Sequence, residues 1–278
     1  MSIFSVEHCG CSLSGEVSGD GPPVVLIHGV AVHGAGWQPQ VAQLAARHRC
    51  LTLDNRGMGR SQPPGAPITV AQMADDVRAL MDAQGIASAH IVGHSLGGLV
   101  ALHLALTARA RVRSLALLCT FADGRRAAPL NWRMFSLGLR SRLGPRRSRR
   151  AAFLEILLPP AALAGADREM LAAPLAPLFG HDLADHPPVT TPQLKAMRAC
   201  DATPRLRALA NIPTLVVSAA HDPIAPPHLG RELAAGIPGA RFLEIADAAH
   251  GVTLQQPGRI NALLLEHFAQ GETRSVDL

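Results

Sequence analysis

Short apolar runs alternate with segments of helical periodicity along most of the chain. A continuous apolar run such as residues 24–27 is typical of a strand buried on both faces of a parallel sheet. In the segments between such runs, apolar side chains recur every three or four residues, most clearly over residues 69–84. Thr69 is the predicted N-cap of that helix and Gly85 ends it. This alternation predicts an α/β fold, with a parallel sheet and helices on both of its faces.

The other predicted elements follow the same rule, except in one long segment. Predicted strands cover residues 49–53, 89–93, 112–118, 214–218 and 241–245, after a hairpin within residues 3–17. Predicted helices cover residues 37–47, 97–108, 228–235 and 254–269. Residues 122–204 are rich in Ala, Leu, Pro and Arg and predict several short helices. We therefore expect a core of residues 1–121 and 205–278, with residues 122–204 inserted as a helical cap over the carboxyl ends of the strands.

The segment Gly-His-Ser-Leu-Gly at positions 93–97 joins a predicted strand to a predicted helix. Side chains at Gly93 and Gly97 would crowd so tight a turn, and glycine has no Cβ. The turn places Ser95 at its apex, at the carboxyl end of the strand. The backbone N–H of Leu96 points the same way from the start of the new helix, where negative charge is favoured. A nucleophile and one oxyanion donor are therefore predicted from a single turn.

Ligands of an open parallel sheet bind beyond the carboxyl ends of its strands, so the polar residues that follow the strands are the candidate site. They are His28, Asp54, Ser95, Asp123, Asp222 and His250. Ser95 needs a base, and His250 is the best candidate because it follows the last strand. Asp222 is the predicted orienting acid, on the chain order Ser, Asp, His, and Asp123 is the alternative. Asp54 is expected to pair with nearby backbone or with Arg56.

The segment His28-Gly29-Val30 supplies a second predicted oxyanion donor. Gly29 lets the backbone turn, and the donor is the N–H of Val30. His28, Gly29 and His94 are also candidates for lining the substrate pocket.

Together these residues resemble the α/β-hydrolase fold superfamily with an inserted cap. The matching residues are His28, Gly29, Asp54, Arg56, Gly57, Gly59, Ser61, the segment 93–98, Asp222 and His250. The resemblance covers nearly all of the chain outside the cap. It implies an eight-stranded, mostly parallel sheet and a Ser–His–Asp triad that needs no cofactor. Ser95 argues against the dehalogenases and epoxide hydrolases of the superfamily, which use an Asp nucleophile.

Within that superfamily we predict a serine hydrolase acting on a carboxylic ester or lactone through an acyl-enzyme. Small carboxylesterases and enol-lactonases are the nearest types. Carbon–carbon bond hydrolases of ring-cleavage diketones, thioesterases and cofactor-free haloperoxidase-like members share the same machinery and stay open. A non-catalytic ligand-binding protein on this fold is the alternative of a different class, because a fold does not fix a function.

The predicted cap offers fewer signals. Trp132 and Phe135 are candidates for packing the cap or lining an apolar pocket. Six arginines within residues 140–150 suit a solvated face, or an anionic ligand. Interleaved aromatic residues are missing there, which argues against nucleic-acid binding. His181 and His186 are five residues apart and do not share a helix face, so no metal site is predicted.

Composition bounds the setting in which this chemistry would occur. The chain has 278 residues, 48% of them apolar, and a formal net charge of +5. The chain has five cysteines, an odd number, and their spacing matches no zinc-binding pattern. This indicates free thiols in a reducing compartment. The amino-terminal residues lack the pattern of a secretory signal, and no apolar run reaches the ~20 residues of a membrane span. We expect a cytoplasmic protein with a small-molecule ester, lactone or thioester substrate, whose oligomeric state, a homodimer included, stays open.

Overall fold

Eight strands form one sheet that is parallel over most of its width. The computed structural model describes residues 1–128 and 132–276, apart from the side chains of residues 133 and 273–276. The strands are β1 (Ser2–His8), β2 (Cys11–Ser18), β3 (Pro23–Ile27), β4 (Arg49–Leu53), β5 (Ala89–His94), β6 (Val112–Leu118), β7 (Thr214–Ala219) and β8 (Arg241–Ile245). Their order is β1-β2-β4-β3-β5-β6-β7-β8, and only the β1–β2 and β2–β4 pairs are antiparallel. The predicted eight-stranded, mostly parallel sheet is confirmed.

Helices cover both faces of the sheet, as its alternating sequence predicts. One face packs against α2 (Val70–Ala83), α3 (Leu96–Thr107) and α10 (Pro227–Gly236). The other face packs against α1 (Gln38–Leu44) and α12 (Pro257–Val276), with a short α11 (Val252–Gln255) before it. The central strands β5 and β7 are buried at every position, because both of their faces are covered. No helix in the described ranges is both long enough and apolar enough to cross a membrane.

Between β6 and β7 the chain leaves the sheet and forms a separate set of helices. They are α4 (Trp132–Arg142), α5 (Arg146–Leu157), α6 (Pro160–Leu163), α7 (Arg168–Ala172), α8 (Ala176–Phe179) and α9 (Thr190–Arg198). We call residues 122–204 the inserted segment. Apolar side chains from α5 to α8 bury themselves with Val32 of the core. The inserted segment therefore has its own small apolar cluster, which continues into the loop after β3.

Most predicted boundaries agree with the structure to within a residue or two, and the largest differences have local causes. The side chain of Thr69 accepts a hydrogen bond from the N–H of Gln72 at 3.0 Å, which makes it the N-cap of α2.

The predicted helix over residues 254–269 is in fact two helices, α11 and α12, and together they extend further at both ends. Pro257 separates them because it has no N–H to continue α11 and is suited to begin a new helix.

Candidate active site

Ser95 lies at the apex of a strained turn between β5 and α3. Its φ of 55° and ψ of −121° fall where residues with a side chain are rarely found. The turn needs glycine on both sides: a Cβ on Gly93 would lie 2.3 Å from the carbonyl oxygen of Gly97, and one on Gly97 would lie 2.1 Å from that of Ile27. The N–H of Ser95 donates to the carbonyl of Leu118 at 3.0 Å. Neighbouring strands therefore hold the strained conformation in place.

His250 and Asp222 form a buried hydrogen-bonded pair beside this turn. His250 Nδ1 lies 2.8 Å from Asp222 Oδ2, and the Asp222 side chain is fully buried. The other carboxylate oxygen, Oδ1, accepts hydrogen bonds from the N–H groups of Ile224 at 2.8 Å and Ala225 at 2.9 Å. With both oxygens engaged, the carboxylate is fixed, so it holds the proton of His250 on Nδ1 and leaves Nε2 free to accept one.

Asp123, the alternative acid, has other partners. It pairs with Arg125 at 2.9 Å, and Arg125 also bridges to Asp201 at 3.0 Å. The hydrogen bond from Arg125 lowers the pKa of Asp123. The carboxylate that reaches His250 in the structure is therefore that of Asp222.

Asp54 accepts hydrogen bonds from backbone N–H groups, which is one of the two pairings predicted for it. The N–H groups of Gly34 and Arg60 donate to its carboxylate at 2.9 Å and 3.0 Å. Arg56, the alternative partner, pairs with another carboxylate. Arg56 is fully buried and donates to Asp76, on α2, at 2.9 Å.

The loop after β3 lies against Ser95 and carries the second predicted oxyanion donor. A Cβ on Gly29 would lie only 3.1 Å from Cβ of Ser95, so the backbone of this loop approaches the serine closely. Among the hydrogen bonds of the described residues, the N–H groups of Val30 and Leu96 donate to no acceptor. Both N–H groups are therefore available to a ligand oxygen.

The inserted segment holds this loop through Ala31, a contact that sequence reasoning missed. The N–H of Ala31 donates to Gln193 Oε1 at 2.8 Å, and His181 Nε2 lies 2.8 Å from the carbonyl oxygen of Ala31. Ala31 has a φ of 55°, so the backbone next to Val30 is held in an unfavourable conformation. No local pattern could have indicated these partners, because they lie 162 and 150 residues away along the chain.

The inserted segment also holds the loop that carries His250. The N–H groups of His250 and Gly251 donate to the carbonyl oxygens of Ile156 and Leu157, at 3.3 Å and 2.9 Å. These carbonyls come from the carboxyl end of α5, where helix carbonyls lack internal partners. From the core side, His94 Nε2 donates to the carbonyl of His250 at 2.8 Å. Both loops of the site therefore depend on the inserted segment for their positions.

Two further histidines, His28 and His94, are buried next to His250. The ring of His94 lies 4.9 Å from that of His250 and 5.5 Å from that of His28, which packs on Trp37. Burial, followed by the charge of His250, lowers the pKa of His28 to about 3, although a backbone hydrogen bond opposes the shift. Burial and the charges of His250 and His28 also lower the pKa of His94 well below its usual value. Both rings are therefore neutral near pH 7.

The two aromatic pocket candidates of the predicted cap are not brought to this site. Trp132 and Phe135 on α4 are 79% and 62% exposed, and their rings stack on each other with centroids 5.6 Å apart. Side chains that line an enclosed apolar pocket are expected to be largely buried, so the pocket-lining prediction is wrong for this pair. The apolar cluster of the inserted segment is formed by other side chains, among them Leu157 and Phe179.

Two groups of side chains among the described residues have donor atoms close enough together to hold a metal ion. His94, Cys119 and His250 form the buried group, and His8, Cys9 and Asp75 form the exposed one. In the buried group, His94 is already bonded to a backbone carbonyl, and His250 to Asp222. Burial, and then the charge and hydrogen bonding of Asp222, raise the pKa of Cys119 well above its usual value. A protonated thiol is a poor metal ligand, so this group fits the hydrogen-bonded site better than a metal centre.

Comparison with known proteins assigns the chain to a family. Residues 22–257 match the model of the alpha/beta hydrolase fold, and the match spans both halves of the core and the inserted segment. The chain belongs to the alpha/beta hydrolase family, and it is a hydrolase.

Relatives of known name or structure resemble the chain over almost its whole length. A protein of Azorhizobium caulinodans named as a carbamate hydrolase, RutD, is 34% identical over 90% of this chain and 92% of its own length. A protein of Mycobacterium tuberculosis named as a non-heme bromoperoxidase, BpoC, is 34% identical over 93% of this chain and 98% of its own. The crystal structure of the enol-lactonase from Burkholderia xenovorans LB400 superposes with a TM-score of 0.80 at 27% identity, covering 96% of this chain and all of the other.

Proposed function

We propose that the chain is a serine hydrolase that cleaves a carboxylic ester or lactone, with Ser95 as nucleophile, His250 as base and Asp222 as orienting acid. The observation that carries this proposal is the buried 2.8 Å pair of His250 Nδ1 and Asp222 Oδ2 beside the strained Ser95 turn. Burying a carboxylate beside an imidazole is costly in desolvation, and such pairs are concentrated at sites where they orient the ring for chemistry.

In the proposed reaction, His250 Nε2 takes the hydroxyl proton of Ser95 while Oγ attacks the carbonyl carbon of the substrate. The N–H groups of Val30 and Leu96 donate to the oxyanion that forms, which typically contributes a few kcal/mol for each donor. His250 then gives the proton to the leaving alkoxide, and the acyl group stays on Ser95. A water molecule, deprotonated by His250, attacks the acyl-enzyme and releases the acid and the free serine. These steps need no cofactor.

The inserted segment, residues 122–204, acts as the cap in this proposal. Ser95 is only 5% exposed and His250 only 8%, so bulk solvent barely reaches the reacting groups. The hydrogen bonds that the inserted segment makes with Ala31 and His250 support this role. A closed site favours a small substrate, and the full-length resemblance to an enol-lactonase supports a lactone. The resemblance to a protein named as a carbamate hydrolase makes a carbamate the competing small acyl substrate.

The experiment is to measure turnover of p-nitrophenyl acetate by the wild-type protein and by Ser95→Ala, with a fluorophosphonate probe as a second readout. We expect Ser95→Ala to abolish turnover and labelling while the circular dichroism spectrum is retained. Retained hydrolysis in the variant would remove Ser95 from the mechanism. Tight ligand binding by a wild-type protein that neither turns over nor reacts with the probe would favour the non-catalytic alternative.

A substrate panel with Ser95→Ala as the blank then separates the acyl classes. It contains p-nitrophenyl esters of graded chain length, simple lactones and an enol-lactone, an N-alkyl carbamate, acyl-thioesters and a ring-cleavage diketone. The proposal expects the highest kcat/KM on a short ester or a lactone. Preference for the carbamate, the thioester or the diketone by more than tenfold would keep the triad and overturn the substrate class.

A further inference from the structure

Four large apolar side chains form a ridge on the outer face of the inserted segment. We call Trp132, Phe135, Leu139 and Leu143 the α4 ridge. All four are between 49% and 79% exposed. They are spaced three, four and four residues apart, so they lie on one side of α4 and of Leu143 directly after it, whose N–H donates to the carbonyl of Leu139. Leu137 points into the protein and is only 3% exposed. Isolated exposed apolar residues are ordinary, but a contiguous row of them indicates an interaction surface.

The part of the chain that carries the α4 ridge has an excess of positive charge. Residues 132–198 hold ten arginines and lysines against five aspartates and glutamates, and the rest of the chain holds sixteen of each. The net charge of +5 therefore comes from residues 132–198, which lie within the inserted segment. Arg140 pairs with Glu155 at 2.8 Å, whereas Arg142 and Arg147 have no carboxylate partner among the described residues. On the helix, Arg140 and Arg142 fall on opposite sides of the apolar row.

We propose that the α4 ridge docks the protein on an anionic phospholipid surface. Aromatic and leucine side chains along one face, with arginines beside them, are what a helix lying in a membrane interface presents. A lipid layer is deformable, so exposed side chains on a helix can enter it without a matching groove. The free guanidinium groups of Arg142 and Arg147 would meet lipid phosphate and carboxylate groups there. A two-fold contact between two copies would instead bring the same positively charged surface against itself, which like-charge repulsion opposes.

The test is binding of the full-length protein to vesicles of phosphatidylcholine with or without phosphatidylserine, measured by co-sedimentation. Intrinsic fluorescence gives a second readout, because one tryptophan, Trp37, is fully buried and Trp132 is exposed. We expect binding to the mixed vesicles, weakening as salt is added, with a blue shift of the emission and quenching by brominated lipid. Absence of binding to the phosphatidylserine vesicles at low salt would overturn the proposal.

Three variants separate the contributions of the ridge. The double variant Trp132→Ser and Phe135→Ser should lower the partition coefficient at least about tenfold, since each side chain loses its apolar burial. Arg142→Glu should abolish the preference for phosphatidylserine. Ile3→Ser, at an exposed apolar residue of β1, is the matched control and should bind as the wild type does. Equal vesicle binding by all three variants would refute the role of the ridge. The proposal would also fail if the wild-type protein bound no vesicles but formed a concentration-dependent dimer that the double variant does not form.

Discussion

Replacing Asp222 by asparagine tests the proposed triad with little change to the shape of the site. Oδ1 of Asp222 accepts the N–H groups of Ile224 and Ala225, and Oδ2 faces His250 Nδ1 at 2.8 Å. Asparagine retains an oxygen for the two loop N–H groups and places its NH₂ opposite His250. Because an NH₂ group only donates, Nδ1 must then accept, and the imidazole proton moves to Nε2. Nε2 is no longer able to take the proton of Ser95.

The size of the effect follows from this change of tautomer. We expect kcat/KM to fall on the order of 10³–10⁴-fold, which corresponds to about 4–5.5 kcal/mol of lost transition-state stabilisation. Folding should suffer less, because the asparagine keeps the loop hydrogen bonds and loses only the charge-assisted bond to His250, worth about 1.5–3 kcal/mol. The loss of activity therefore exceeds any loss attributable to unfolding.

The assay is steady-state hydrolysis of p-nitrophenyl acetate, together with urea unfolding of each variant. Asp123→Asn is the matched control, because its partner Arg125 is exposed and solvent screens the pair, and its activity should stay within a few-fold of the wild type. Activity of Asp222→Asn within tenfold of the wild type would refute the tautomer argument. A larger loss in Asp123→Asn than in Asp222→Asn would move the orienting acid to the end of β6.

Three further predictions concern the contacts that support the site and the fold. Gln193→Ala removes the acceptor of the Ala31 N–H and should lower kcat about 5–10-fold; Gln193→Glu, which keeps an acceptor, should recover most of it, and equal rates for both variants would contradict this. Arg56→Met leaves the Asp76 carboxylate buried without its arginine and should lower the free energy of unfolding by about 3–5 kcal/mol, measured by urea denaturation. A loss below about 1 kcal/mol would disprove this prediction. Burial lowers the pKa of His90 to about 3 in the folded protein. Between pH 6.5 and pH 3 the unfolded chain therefore binds a proton that the folded protein does not, and the free energy of unfolding falls by about 1.4 kcal/mol for each pH unit of acidification. Urea midpoints measured from pH 7 to pH 5 should show a shallower slope for His90→Gln, and parallel slopes would refute the assignment.

Much of the core was predictable because its information is local. The strands β4, β6 and β8 begin and end at the predicted residues. Of these, β4 and β6 are buried at all but one position, as mainly apolar strands covered on both faces are expected to be. Thr69 could be identified as an N-cap from its position before an amphipathic segment. The order of these elements was enough to predict the parallel sheet. The inserted segment was predictable only as a break in the alternation, because short helices separated by prolines carry little periodicity.

The sequence by itself also determined which polar residues are candidates for the site, because parallel strands bring their carboxyl ends to one edge of the sheet. Only the tertiary structure decided that Asp222 lies against His250 while Asp123 is held by Arg125. It also decided that Trp132 faces outward. Hydrophobic periodicity shows that a helix has an apolar side but does not say what covers it, because that depends on contacts between residues far apart in the chain.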